Sequence, residues 1–181
     1  MSLFTSIAPT TEERRASLPG DFVVPVPDVV LDRSIDVPAT PQVLWPWIVQ
    51  LGKKRGGWYL PETIERWIPE SRRGLREVDT RYQKLAVGSV VPDWGGQRAS
   101  FEVALLEPES ALVYRSQRGR VKLSWAIVLT ATGDEATRLQ LRLRLGGVRH
   151  RRLARSAGGL LDRVTVAGLA AGLDERMRRA A

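Results

Sequence analysis

The chain has 181 residues, of which 43% are hydrophobic, and a formal net charge of +8. This length suits one globular domain with a buried core and room for a cavity. The absence of cysteine excludes thiol nucleophiles, disulfides and thiolate metal sites, and one histidine cannot supply a zinc motif. No stretch approaches the roughly 20 apolar residues of a membrane span, and no signal pattern opens the chain, so we expect a cytoplasmic protein.

The first 27 residues show little periodicity and contain several prolines, which cannot donate backbone hydrogen bonds to a sheet. We therefore predict an extended or disordered tail over 1–27 and a single domain over 28–181. The alternation over 29–37 predicts a first strand, with Arg33 beside Ile35 on its apolar side.

Two short helices are expected next. Thr40 followed by Pro41 is a good helix start, because the hydroxyl can accept an orphan amide hydrogen bond and the proline needs no donor in the first turn. We predict a first helix over 41–51 and a second over 61–68, which ends at Pro69. The polar stretch that follows is expected to be a loop.

The second half of the chain changes to the alternating pattern of strands separated by turn residues. Because the turns are short, the strands should pair antiparallel as hairpins. A final helix is predicted over 158–179, long enough to cross the sheet. This element order indicates an α+β fold. The five further strands are predicted at 89–91, 100–106, 111–116, 121–130 and 137–145.

Positive charge is concentrated between Arg138 and Arg155, where seven arginines and His150 occur without an acidic residue. Two interpretations are open. Because Arg138, Arg142 and Arg144 alternate with leucines, they fit the solvated face of a strand. The same cluster would also form an anionic-surface contact, with nucleic acid or an anionic membrane.

Several sequence segments are distinctive when taken with the element order. They are SIDVPA at 34–39, PQVLWPWIVQLG at 41–52, RGGWY at 55–59, LAVGSVV at 85–91 and LLEPESALV at 105–113. Together they resemble the START-like, or Bet v 1-like, helix-grip superfamily (SRPBCC), including its polyketide cyclase/dehydrase-like bacterial members of unassigned function. The resemblance covers about residues 28–179, and it is specific for fold rather than for activity.

The resemblance implies a curved antiparallel sheet around the C-terminal helix, with an internal cavity for a small hydrophobic or amphipathic molecule. The strands supply a suitable apolar lining, four aromatic residues in helix or loop segments could ring the opening, and a few polar side chains could orient the ligand. The candidate ligand-binding residues are Arg33, Trp58, Tyr59, Trp67, Asp93, Trp94, Phe101, Tyr114, Leu123, Trp125 and Ile127.

Arg33 needs separate treatment, because a guanidinium on the apolar side of a strand requires a partner. That partner is either a protein carboxylate, such as Asp32 or Glu102, or an anionic group of the ligand. We favour the internal salt bridge.

No catalytic set can be identified from the sequence. His150 lies among arginines that disfavour its protonation, and no acidic neighbour orients it. We expect no metal and no cofactor. Three functions stay open, in this order: transport, storage or sensing of a hydrophobic ligand; a cyclase, aromatase or dehydratase-like enzyme; and a basic adaptor for nucleic acid or an anionic membrane. The oligomeric state is left open.

Overall fold

A six-stranded antiparallel sheet is the centre of the structure, a computed structural model that describes residues 7–96 and 99–180. Its strands are β1 Val29–Val37, β2 Val90–Pro92, β3 Ser100–Glu107, β4 Ala111–Arg118, β5 Val121–Ala131 and β6 Thr137–Gly146. Their order is β1-β6-β5-β4-β3-β2, so β1 and β2 are the edges. The predicted strands are confirmed, because alternation of apolar and polar residues lets each strand bury one side.

The helices precede and follow the strands. They are α1 Thr11–Arg15, α2 Pro41–Gln50, α3 Glu62–Glu65, α4 Arg151–Leu153 and α5 Gly159–Ala180. A π-helical turn, Ala154–Gly158, joins α4 to α5, so helical backbone begins at Arg151, before the predicted start at residue 158. The N-terminus of α2 is capped as predicted, since the Thr40 hydroxyl accepts from the Val43 amide.

Helix α3 is shorter than the predicted helix over 61–68. Beyond it, the amides of Trp67 and Ile68 bond to carbonyls three residues back, at Ile64 and Glu65. The chain therefore tightens into 3₁₀-type turns before Pro69 instead of completing a second α-helical turn.

Helix α5 lies across one face of the sheet, here called the inner face. Its Val166, Leu169 and Leu173 are buried in one core with Ile127 and Leu139 of the sheet. Because these residues recur at three- and four-residue intervals, they form one stripe of the helix that the sheet covers. The inner face and α5 therefore enclose the space in which the resemblance places a ligand.

The N-terminal segment, residues 7–27, covers the opposite face, here called the outer face. The sequence predicts an extended or disordered tail for this stretch, whereas the structure shows helix α1 and a 3₁₀ turn at Asp21–Val23. The Gly20 carbonyl accepts a hydrogen bond of 2.9 Å from the Ser124 hydroxyl. Gly20 has φ +94°, and a Cβ there would lie 2.6 Å from Val113, so the close approach requires glycine.

Arginines of β6 hold the N-terminal segment against the sheet. Arg138 pairs with Glu13 at 2.7 Å, while Arg142 and Arg144 both pair with Asp21 at 3.0 Å. The interpretation of these arginines as a solvated strand face is wrong, because the same chain covers them. Their contacts are internal, so this part of the 138–155 stretch is not a surface for an anionic partner.

Candidate functional site

Five aromatic rings meet at one end of the space between the inner face and α5. Phe101, Tyr114 and Trp125 project from the adjacent strands β3, β4 and β5. Trp125 is paired in register with Tyr114, which places their side chains on the same face. Trp58 and Trp94 come from loops and complete the group. We call these five residues the aromatic cluster.

Trp125 is the centre of the aromatic cluster. Its ring centroid lies 5.7 Å from that of Tyr114 and 6.0 Å from those of Phe101 and Trp58. The Tyr114 and Trp58 rings stack against it, with interplanar angles of 21° and 29°. Such separations are those at which aromatic pairs attract one another beyond their burial. The rings therefore pack directly against each other.

Two loop tryptophans connect the cluster to α5 and to solvent. The Trp58 indole N–H donates to the Thr165 carbonyl on α5 at 3.1 Å, which fixes its ring between helix and sheet. Trp94 meets Trp58 edge to face at 6.1 Å, and 53% of Trp94 is exposed. Trp94 is therefore the outermost ring of the cluster.

The Tyr114 hydroxyl is the one buried polar atom of the cluster without a hydrogen-bond partner among the described residues. Only 2% of Tyr114 is exposed, so water does not replace that partner at the surface. Burial raises the pKa of Tyr114 to about 12, which keeps the hydroxyl neutral. A buried polar group in this state costs about 1–3 kcal/mol.

Tyr59 contrasts with Tyr114, although both were predicted to line the ligand site. The Tyr59 hydroxyl donates to the Trp47 carbonyl at 2.8 Å, and the Arg176 guanidinium lies over its ring at 4.6 Å. Burial raises the pKa of Tyr59 well above its usual value. Because its polar and aromatic parts both have partners, Tyr59 is part of the packed core.

Arg33 forms an internal salt bridge, as favoured, but with neither of the carboxylates named from the sequence. Its Nε lies 3.0 Å from Asp162 on α5, and its Nη2 donates to the Gly159 carbonyl at 2.8 Å. Glu102 and Asp32 were wrong as partners, because Arg115 and Arg142 respectively bind those carboxylates. Asp162 was missed because it lies more than 120 residues along the chain, on the facing helix.

Asp93 organises the loop beside the cluster. Its carboxylate pairs with Arg118 and accepts from the Trp94 amide at 2.6 Å, while its carbonyl accepts from Lys53 at 2.9 Å. Arg118 in turn lies over the Phe101 ring, 5.6 Å from its centroid. Asp93 thus positions both the outermost ring and a cation at the edge of the cluster.

Sequence reasoning missed Arg118 as a candidate residue. Alternate residues of a strand lie on the same face, so Arg118 shares the face of Tyr114 and Ser116 on β4. This alternation could have identified it.

The remaining candidates separate into two groups. Leu123 and Ile127 lie on the inner face and are buried, whereas Trp67 is 80% exposed and its ring contacts the Arg66 guanidinium.

A cavity of about 900 Å³ is lined mainly by the N-terminal segment and by side chains of the outer face. These include Phe22, Glu102, Arg115 and Lys122, and the lining also reaches Arg118. Two smaller cavities of about 640 and 430 Å³ lie elsewhere. None of the three includes Trp125 or Tyr114, so the enclosed cavity expected around these two residues is not one of them. The rings occupy that space.

Metal and membrane features can be assessed only for the part of the chain that the structure describes. Within 7–96 and 99–180, no three side chains of histidine, aspartate or glutamate group as a metal site would require. The helices in those same ranges are too short or too polar to cross a membrane.

Comparison with known protein families and with curated sequences gives no match. Solved structures do resemble the chain. A protein from Thermobifida fusca is 18% identical with a TM-score of 0.52, over 82% of this chain and 93% of that one. CalU16 from Micromonospora echinospora is 18% identical with a TM-score of 0.50, over 83% and 79% of the two chains. Aha1 from Colwellia psychrerythraea is 12% identical with a TM-score of 0.51, over 81% and 96%.

These similarities concern the fold alone, because the sequence identities are low. The six-stranded antiparallel sheet and the long C-terminal helix form the helix-grip arrangement, and the resemblance to START-like, or Bet v 1-like, proteins is confirmed at that level. What the chain binds has to be argued from its own residues.

Proposed function

We propose that the protein binds a small hydrophobic or amphipathic molecule at the aromatic cluster, for transport, storage or sensing. The apolar part of the ligand lies against Trp125 and Tyr114, in place of some ring contacts. Its polar end points toward Arg118, whose guanidinium lies over the Phe101 ring at the edge of the cluster. Small-molecule sites commonly combine such an apolar, aromatic lining with a few polar groups.

The observation that carries this proposal is the unpartnered Tyr114 hydroxyl inside the aromatic cluster. Native proteins rarely leave a buried polar atom without a partner, because the loss of hydration is not offset. A ligand with an oxygen or nitrogen at this point supplies the hydrogen bond that the chain does not. The same five rings provide the apolar contact that holds the rest of the molecule.

Access to the cluster runs through its outermost ring. Trp94 contacts Trp58 only at an edge, and two glycines, Gly95 and Gly96, follow it. Gly96 has φ +148°, in the region that favours glycine. Displacement of Trp94 exposes Trp58 and leaves the cluster open toward Arg118.

Binding is favoured over catalysis by the pairing of the carboxylate beside the cluster. Asp93, in the loop that carries Trp94, is already paired with Arg118. Burial raises the pKa of Tyr114 to about 12, so its hydroxyl is neutral and can form a hydrogen bond with a ligand. These partners give the site the character of a binding pocket.

The proposal is tested with the fluorescent dye anilinonaphthalene sulfonate, an amphipathic anion, and with ligand extraction from protein purified from its own host. We expect Trp125→Leu to weaken dye binding about tenfold, because it removes the central ring. Trp67→Leu is the matched control, since that ring is exposed and contacts only Arg66 among the aromatic and cationic pairs described.

Thermal unfolding must first show that both variants are folded, because partly folded proteins also bind this dye. Equal dye affinity for the wild type, Trp125→Leu and Trp67→Leu would contradict binding at the aromatic cluster. Native mass spectrometry provides the second measurement: a small molecule retained by the wild type and lost from folded Trp125→Leu identifies the ligand class.

A further inference from the structure

The start of the C-terminal helix carries an uncovered apolar surface. Leu153, Leu160, Leu161 and Val164 are each between 63% and 70% exposed. We call these four residues the leucine surface. Single exposed apolar residues are ordinary, but four large ones within twelve residues of one helical region mark an interaction site.

The leucine surface exists because the chain covers only the later part of the helix. At Gly168 and Gly172, the helix backbone approaches the segment around Tyr59 and Leu60 so closely that a Cβ would lie about 2.5 Å from those residues. That segment does not extend to the first turns of α5. The side of the helix that faces away from the sheet is therefore left open at Leu160 and Val164.

Exposed arginines surround the leucine surface. Arg149, Arg152, Arg155 and Arg163 all face solvent. From residue 137 to residue 173 the only acidic residue is Asp162, and it pairs with Arg33 on the sheet side of the helix. The combination is an apolar strip with a mainly positive rim, in which Asp28 pairs with Arg151.

A second apolar feature adjoins this strip. A cavity of about 640 Å³ is lined by Leu153, Ala157, Val121 and Val148, with Arg149 among the residues at its edge. The arginines near it differ from those of β6, since Arg138, Arg142 and Arg144 bind the N-terminal segment. In the later part of the predicted 138–155 contact, Arg151 and Arg155 bind Asp28, whereas Arg149 and Arg152 are exposed.

We propose that the leucine surface docks on an anionic phospholipid membrane. The leucines enter the headgroup region, and the flanking arginines contact lipid phosphates. A second copy of the chain would bring the two positive rims together, and a nucleic acid would leave the leucines in contact with its polar backbone. An anionic lipid surface matches both the apolar and the charged part. This proposal is independent of ligand binding at the aromatic cluster.

The test is co-sedimentation of the full chain with phosphatidylcholine vesicles, with and without phosphatidylglycerol. We expect binding only to the anionic vesicles, and weaker binding at high salt. The double variant Leu160→Ser/Leu161→Ser should bind at least about tenfold less, because the apolar contact is lost. Arg152→Ala and Arg155→Ala should each reduce binding about fivefold.

Matched controls separate docking from general stickiness. Val26→Ser and Val87→Ser remove apolar residues that are as exposed but lie elsewhere, and Arg14→Ala removes an exposed arginine of α1. These variants should bind like the wild type. Failure of the wild type to sediment with anionic vesicles overturns the proposal. Equal vesicle binding by the wild type and the double leucine variant also overturns it. The same holds if the double leucine variant changes only self-association, as measured by analytical ultracentrifugation.

Discussion

The two faces of the sheet are each covered by one end of the chain, but in different ways. The N-terminal segment is held on the outer face by charged and backbone hydrogen bonds, of which Arg142 alone makes four. Helix α5 is held on the inner face by apolar packing, and there the Tyr114 hydroxyl has no partner among the described residues. One face pairs a whole guanidinium, whereas the other buries a hydroxyl without a partner. This difference supports the proposed ligand site on the inner face.

Arg142 makes a full set of hydrogen bonds on the outer face. Its guanidinium binds the carboxylates of Asp32 and Asp21, and also the carbonyls of Glu13, Arg14 and Ala16. The three carbonyls belong to the last turn and C-cap of α1. Arg142 therefore caps that helix and places a cation at the negative end of its dipole.

The largest effect is expected from Arg142→Ala. Arg142 is 3% exposed, and its removal leaves two carboxylates and three carbonyls without their shared donor. We expect the free energy of unfolding to fall by about 3–5 kcal/mol, as when one partner of a buried pair is removed. Urea denaturation followed by tryptophan fluorescence measures the change.

The matched control is Arg115→Ala, because Arg115 also lies on the outer face of the sheet, on β4. Arg115 is 55% exposed in its side chain and pairs with the exposed Glu102, so its loss should lower stability far less than the loss of Arg142. Similar losses for both variants would mean that the N-terminal segment contributes little to the stability of the fold.

A second effect, smaller than the first, is expected from pH. The hydrogen bond with Arg138, together with the Thr10 amide, holds the pKa of Glu13 at about 2, below its ordinary value of 4.5. Because the folded-state pKa is the lower one, Glu13 contributes its stability above pH 4.5 and loses it as the pH falls toward 2. Urea midpoints measured from pH 6 down to pH 3 should therefore fall less steeply for Glu13→Gln than for the wild type.

Glu12→Gln provides the comparison for this experiment. Glu12 lies in the same helix turn and is exposed, so its substitution removes a carboxylate there and leaves the Glu13–Arg138 pair in place. Identical slopes for Glu13→Gln and the wild type would show that the Glu13–Arg138 pair does not stabilise the folded state.

The fold could be predicted from the sequence because its signals are local. Strands β3 to β6 alternate clearly, and the turns between them are short, so pairing followed from chain order. Position Thr40 marked the helix start by its capping chemistry. Helix α1 and the ion pairs of the N-terminal segment escaped prediction, because Arg142 and its partners lie more than 100 residues apart and no pattern of either stretch shows the contact.

The candidate site was predictable only in part, for a similar reason. Strand parity correctly placed Phe101, Tyr114 and Trp125 on one face. It could not distinguish Tyr59 from Tyr114, since both are aromatic residues beside apolar neighbours. Their difference depends on whether a carbonyl lies within reach of each hydroxyl, and tertiary packing alone decides that.

The smallest expected effect comes from the two tyrosines and compares the packed core with the candidate site. Tyr59→Phe leaves the Trp47 carbonyl unpaired and should lower the free energy of unfolding by about 1 kcal/mol. Tyr114→Phe removes a hydroxyl that has no partner, so in ligand-free protein it should change stability by less than about 0.5 kcal/mol or increase it slightly. Urea denaturation of both variants measures this difference. Equal losses would mean that the Tyr114 hydroxyl is already satisfied within the chain, and the argument for a ligand at the aromatic cluster would lose its main support.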